Sequence, residues 1–268
     1  MKFTTGDATY WYEVYGSGEP IVLLHGFTGS TQTWSNFITK WKSSLQIIAI
    51  DLPGHGRTNT PTPKTMIACC QDLNKLFHHL HLETFHLVGY SMGGRTALSF
   101  SMMYPDFIKS LILESASPGL AVRTEREKRR EKDVELAQRI EQEGVTNFVS
   151  YWENIPLFSS QKKLSATIQQ SIRNERVSQE KDGLASSLRY MGTGSQPSWW
   201  EELKSFRKPV LLVVGELDEK FQLINQRMEK HLQKSNLTVV KNAGHAIHVE
   251  QAEIFGKIVT EFIFQNSN

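Results

Sequence analysis

The stretch Gly89-Tyr90-Ser91-Met92-Gly93 constrains this chain more than any other. It follows an apolar run, Phe85-His86-Leu87-Val88, and precedes a helix-like segment, Gly94-Arg95-Thr96-Ala97-Leu98-Ser99-Phe100. A Gly-x-Ser-x-Gly motif between a buried strand and a helix forces the serine into a sharp turn, with its hydroxyl held above the sheet edge. The glycines let neighbouring backbone approach closely, and the following helix turns its positive end toward the same point. A serine in an ordinary turn would use the same residue types, so the motif gains meaning only from what accompanies it.

The rest of the chain supplies a parallel sheet around that turn. Residues 21–24, 45–50, 110–115, 210–214 and 237–240 are short apolar runs, as expected of strands buried on both faces. Helical spacing covers residues 34–41, 65–82 and 254–264. Residues 8–15, aromatic and β-branched, with Gly16-Ser17-Gly18 and Pro20 behind them, predict an edge hairpin. After Ser115 the strand rhythm stops until Pro209. The segment between reads as several charge-rich helices, with turns near Gly144, Pro156 and Gly192-Thr193-Gly194. The expected fold is therefore α/β: a mostly parallel central sheet with helices on both faces, formed by residues 1–119 and 206–268. Residues 120–205 are expected to form an inserted helical lid, which can exclude water and supply substrate contacts.

Composition narrows the function. A length of 268 residues permits one large α/β domain with an insertion. The net charge of +2 does not point to nucleic acid. Two adjacent cysteines, Cys69 and Cys70, allow no disulfide framework and fall on a helix. The first residues lack a signal-peptide core, and no apolar run reaches the ~18 residues of a membrane span. A cytoplasmic protein is expected. His78, His79 and His81 crowd a helix end without a carboxylate or thiolate at ligand spacing, so no metal is expected.

A serine needs a base and an acid, which on this fold follow in the order acid, then histidine. Asp218 lies beyond the strand at 210–214, with Glu216 as the competing acid. His245 follows Gly244 in a loop, with His248 as the competing base. His25-Gly26-Phe27-Thr28-Gly29-Ser30 leaves the carboxyl end of a central strand, where open α/β sheets bind ligands. The backbone N–H groups of Phe27 and Met92 are the candidate oxyanion hole. His25 reads as a loop-orienting residue and His55 as scaffold. Arg95 lies one helical turn after Ser91, so it can point near the serine. A guanidinium there suits a substrate carrying carboxylates. The other reading of Arg95 is a salt bridge between core and lid.

Three stretches in this order, His25-Gly26-Phe27, Asp51-Leu52-Pro53-Gly54-His55-Gly56 and Gly89-Tyr90-Ser91-Met92-Gly93-Gly94, resemble the α/β-hydrolase superfamily. With Arg95 and Ser117-Pro118-Gly119-Leu120 added, the chain resembles the menaquinone-pathway 2-succinyl-6-hydroxy-2,4-cyclohexadiene-1-carboxylate synthases along its full length. The resemblance implies a lyase that removes pyruvate from a polycarboxylate, with the triad Ser91, Asp218 and His245 acting as a base. It implies no cofactor, and a monomer or weak homodimer is expected. Carried over by position, the family's carboxylate-binding arginines fall on Arg95, Arg129 and Arg173, and its aromatic contacts on Tyr90 and Trp152. Arg126 and Arg130 replace Arg129 if the lid helix has another register. The same triad also suits a serine hydrolase acting on an acidic metabolite, or a fold retained for ligand binding alone.

Overall fold

A computed structural model describes residues 1–267. Its strands are β1 (Lys2–Thr5), β2 (Ala8–Tyr15), β3 (Glu19–Leu24), β4 (Leu45–Ile50), β5 (Phe85–Tyr90), β6 (Ile108–Glu114), β7 (Val210–Gly215) and β8 (Ser235–Val240). They form one eight-stranded sheet in the order β1-β2-β4-β3-β5-β6-β7-β8. The strands from β3 to β8 are mutually parallel, and β1 and β2 run antiparallel at one edge. The edge hairpin forms with the chain's first residues. Thr5 pairs with Ala8 across a turn whose Gly6 has φ +59°. Gly16 and Gly18, also at positive φ, lead the chain from β2 across to β3, two places away in the sheet.

The continuous apolar runs are explained by two-sided burial. In β3, Ile21 and Leu23 face one core cluster while Val22 and Leu24 face the other, following the two-residue period of a strand. Helices α1 (Ser35–Trp41), α2 (Met66–His79) and α3 (Met92–Met103) follow the strands. On the Val22–Leu24 side α2 and α3 bring Leu73, Phe77, Leu98 and Phe100. Residues Phe37 and Ile38 of α1 pack on the opposite side, with Val259 and Ile263 near the carboxyl end of the chain. Cys69 and Cys70 are buried free thiols on α2, and burial raises both thiol pKa values, for Cys70 well above the usual range. His79 packs on Phe3, and His78 on Phe107. Among the described residues no group of three or more His, Cys, Asp or Glu is placed to hold a metal. No described helix is long and apolar enough to cross a membrane.

Between β6 and β7 the chain makes α4 (Arg123–Trp152), α5 (Ala166–Val177) and α6 (Lys181–Met191). Gly144, at φ +77°, breaks α4 where the sequence placed a turn. This cover has a small core of its own, including Ile140, Phe148, Leu184 and Leu188, against which Phe27 of the sheet end packs. Its charge run is largely solvated, with i, i+4 pairs such as Arg123–Glu127 and Arg139–Glu143. After β7 come α7 (Glu219–His231), then β8, then α8 (Ile247–Glu250) and α9 (Ala252–Gln265).

Candidate active site

Ser91 occupies the turn between β5 and α3 with φ +50° and ψ −105°, a conformation costly for any side chain but glycine. The surroundings enforce it. Its N–H donates to the Glu114 carbonyl of β6 at 2.8 Å. A Cβ on Gly89 would lie 2.4 Å from the Gly93 carbonyl oxygen, and one on Gly93 would lie 2.1 Å from that of Leu24. The two motif glycines are thus required by close backbone approach.

The loop after β8 carries His245 to this turn. Glu250 braces it on both sides, accepting from the N–H of Gly244 at 2.7 Å and of Ala246 at 3.3 Å. His245 Nδ1 donates to Asp218 Oδ2 at 2.6 Å, and Ser91 Oγ lies 3.0 Å from His245 Nε2. With Nδ1–H fixed by the carboxylate, Nε2 is free to accept the serine proton. Asp218 and His245 are both buried. Asp218 is also the N-cap of α7, its other oxygen accepting from Phe221 N. The competing residues serve elsewhere. Glu216 is exposed and accepts from Asn242 N. His248 donates through its backbone N–H and Nδ1 to buried Glu114.

His25 sits fully buried beneath the neighbouring loop. Its Nδ1 donates to the Gly26 carbonyl and its Nε2 accepts from Leu52 N at 2.9 Å. Burial holds its pKa down at about 4, so it is a neutral strut. His55 is similar, bonded to the Pro53 carbonyl and pushed down to about 3 by burial and then by His25. The loop they support presents Phe27. Among the described residues, neither the Phe27 N–H nor that of Met92, at the first position of α3, donates to a protein acceptor.

Above Ser91 lies a chamber of about 400 Å³ between the sheet ends and the cover. Its wall includes Phe27, Tyr90, Met92, Arg95, Arg129 and Trp152. Tyr90 is nearly buried between the His245 and His248 rings, at 5.4 and 4.5 Å, and burial pushes its hydroxyl well above the usual tyrosine range. Arg95 donates through Nη1 to the Met191 carbonyl and to Gln196 Oε1, at 2.8 and 2.6 Å, both on the cover side. Its partners are neutral, so the core–lid salt bridge is not what forms. Burial, then Arg129, lowers its pKa to about 10, which leaves it a cation at neutral pH.

Three comparisons bear on this site. The family model for the alpha/beta hydrolase fold matches residues 19–252. A Bacillus subtilis (strain 168) protein that bears the name 2-succinyl-6-hydroxy-2,4-cyclohexadiene-1-carboxylate synthase provisionally is 47% identical over 92% of this chain and 91% of its own length. A Salmonella agona (strain SL483) protein with that synthase name is 29% identical over 86% of this chain and 88% of its own. The chain belongs to this synthase family of the α/β hydrolases. The solved structure of MenH from S. aureus superposes with a TM-score of 0.92 at 34% identity, covering 97% of this chain and 99% of that one.

The residues carried over from the synthase family divide in two. Tyr90, Arg95, Arg129 and Trp152 all line the chamber. Arg129 is held by buried Asp133 at 2.8 Å, and the helix register turns Arg126 and Arg130 aside to the carbonyls of Leu120 and Gly194. The Trp152 indole N–H, though buried, has no acceptor among the described residues, and neither does the Ser115 hydroxyl, which lines the chamber from the end of β6. Arg173 does not reach this chamber. It is paired with Glu153 and bonded to Ser150 Oγ, in a separate cavity lined by Phe158 and Arg176. Sequence reading missed Glu250, Glu114 and Asp133, whose roles depend on distant partners. It also missed Lys220, which lines the chamber two residues after Asp218.

Proposed function

We infer that Ser91, activated by His245 and Asp218, is the base of a pyruvate elimination. The substrate is 2-succinyl-5-enolpyruvyl-6-hydroxy-3-cyclohexene-1-carboxylate and the product 2-succinyl-6-hydroxy-2,4-cyclohexadiene-1-carboxylate, the menaquinone-pathway reaction of the family to which the chain belongs. The observation that carries the reading is an activated serine on the floor of a chamber whose wall holds Arg95 and Arg129. An apolar acyl substrate has no use for two guanidinium groups at that position, whereas carboxylates do.

The two chemical names state the bond changes. One ring double bond at C3 becomes two, at C2 and C4. A proton therefore leaves C2, the C3 double bond shifts, and the C5–oxygen bond breaks. The succinyl ketone on C2 acidifies that proton. Ser91 takes it as its own hydroxyl proton passes to His245 Nε2, and Asp218 stabilises the imidazolium that forms. Negative charge that builds on the ketone oxygen is met by the free N–H groups of Phe27 and Met92. The departing enolpyruvate takes up a proton and is released as pyruvate, so charge and protons balance. The helical cover at residues 120–205 keeps water from the chamber while this occurs.

The test is to supply the enolpyruvyl substrate and follow pyruvate release beside the loss of substrate. Pyruvate in equal amount to the cyclohexadiene product is expected. Hydrolysis of a small carboxylated ester with no pyruvate release would replace this reading with a serine hydrolase.

A further inference from the structure

The substrate reading sets a charge problem that the carried-over residues leave open. The substrate carries three carboxylates, on the ring, the succinyl arm and the enolpyruvyl group. Two of the three carried-over arginines, Arg95 and Arg129, line the chamber, and Arg173 is bound to Glu153 outside it. One carboxylate is left without a cation.

The face of α7 that closes the chamber supplies candidates. Lys220, Ile224 and Arg227 follow at i, i+4 and i+7 and all line the wall. Opposite stand Glu125, Arg129 and Asp133 of α4, also spaced one turn apart. Arg227 lies with its guanidinium 4.1 Å from the centroid of the Trp200 ring. Lys220 has no ion pair or hydrogen bond to the protein among the described residues, and its Nζ lies 5.5 Å from the Phe221 ring centroid. Phe221 in turn packs 4.7 Å from the His245 ring, so Lys220 stands on the reacting side of the chamber.

Helix stability does not account for a lysine here. Lys220 is in the first turn of α7, where the helix macrodipole disfavours a cation. The charged groups that act most strongly on it are Arg129 and Lys132 from α4, which repel it, and Asp218 from the triad, which is committed to His245; of the other acids on the wall, Asp133 is paired with Arg129, and Glu125 also faces the chamber. Lys220 is exposed at the chamber edge, and desolvation against the wall, then Arg129, hold its ammonium below the usual lysine range. An anion in the chamber would relieve this repulsion. We propose that Lys220 is a further substrate-binding cation, which holds a carboxylate that Arg95 and Arg129 leave uncovered. The proposal rests on the polycarboxylate reading of the site.

Three enzymes test it: wild type, Lys220→Met and Lys220→Arg, each assayed for pyruvate release and for inhibition by the two-carboxylate product. Lys220→Met is expected to lower kcat/KM about tenfold, chiefly through KM, as for loss of one charge-assisted contact at a partly solvated site. Lys220→Arg should recover most of that loss, since it restores the charge. Melting temperature should stay within about 1 °C of wild type, because the lysine makes no protein contact that folding needs. Product inhibition then locates the carboxylate. Weaker inhibition in Lys220→Met places it on an arm the product keeps, and unchanged inhibition places it on the departing pyruvate; either supports the proposal. Wild-type kcat/KM in Lys220→Met, or an equal loss in the Met and Arg variants, would overturn it. A wild-type enzyme that released no pyruvate would instead sink the substrate reading itself.

Discussion

The floor of the chamber and its cover are built on opposite principles. On the floor, Ser91, Asp218 and His245 come from the ends of β5, β7 and β8, and both His245 nitrogens have protein partners within 3.0 Å. Even the second histidine–carboxylate pair there, His248 with Glu114, is complete without a ligand. The wall formed by the cover is different. The Trp152 indole N–H has no acceptor among the described residues, and Arg129 leans on a single carboxylate of its own helix. A buried donor without a partner is costly, and such groups are few in folded proteins. The floor is preorganised to move a proton. The wall keeps a buried indole donor and a guanidinium facing the chamber, which suits the anionic, hydrogen-bond-accepting substrate proposed above.

Removing the serine tests the floor most severely. Ser91→Ala should reduce pyruvate release by about 10³-fold or more, because triad members act as a unit. Substrate binding, measured by titration, should change little, since binding is assigned to the wall. Retention of more than a tenth of wild-type turnover would show that another group removes the proton. Acid offers a second way to separate the two regions. His25 and His55 are buried under the floor with folded pKa values of about 4 and about 3, below the ordinary 6.5. His86, also in the sheet, is held to about 4 by burial. The unfolded chain therefore takes up protons first as pH falls, and stability present above pH 6.5 is lost toward pH 4. At about 1.4 kcal/mol per unit, His25 alone contributes roughly 3 kcal/mol to that loss. Asp51 and Glu175, raised by burial, work in the opposite sense and offset part of it. The urea midpoint should fall between pH 7 and pH 4.5, with β3 and β5 losing amide protection. A midpoint that did not move would mean these histidines are not neutral struts.

The same division governs what could be read from the sequence. The strands, the motif turn and the order Ser91, Asp218, His245 were legible because each is a local signal: an apolar run, a glycine pair, an acid or histidine just past a strand. His245 was preferred to His248 on its loop position, and the structure supplies the reason, a buried Glu114 that claims His248. The wall was harder. Arg126, Arg129 and Arg130 share one helix, and periodicity alone does not say which of them faces inward. Asp133 and the carbonyls of Leu120 and Gly194 decide it. Lys220 gave no signal beyond adjacency to Asp218, since a lysine on a polar helix is ordinarily solvated. The pairing of Arg173 with Glu153 bridges two lid helices, a contact invisible in a linear chain. The hairpin partner was missed for a similar reason, because β1 reads as only four residues of weak alternation.

Arg95 joins the two regions and gives the comparison its sharpest test. It stands on α3, one turn from Ser91, yet its Nη1 donates to Met191 and Gln196 on the cover side. If it serves only to tie cover to floor, Arg95→Met should lower the melting temperature and disturb kcat and KM together. If it also holds a substrate carboxylate, the loss is larger and falls mainly on binding. A charge-assisted hydrogen bond is worth about 1.5–3 kcal/mol, which predicts a fall in kcat/KM of roughly 10- to 150-fold. Arg95→Lys keeps the charge without the planar fork, and should lie between wild type and Arg95→Met. A lowered melting temperature with kcat and KM disturbed together, and no selective loss of binding, would leave Arg95 a structural tie. The carboxylate assignment would then rest on the wall alone, with Arg129 and Lys220 as its cations.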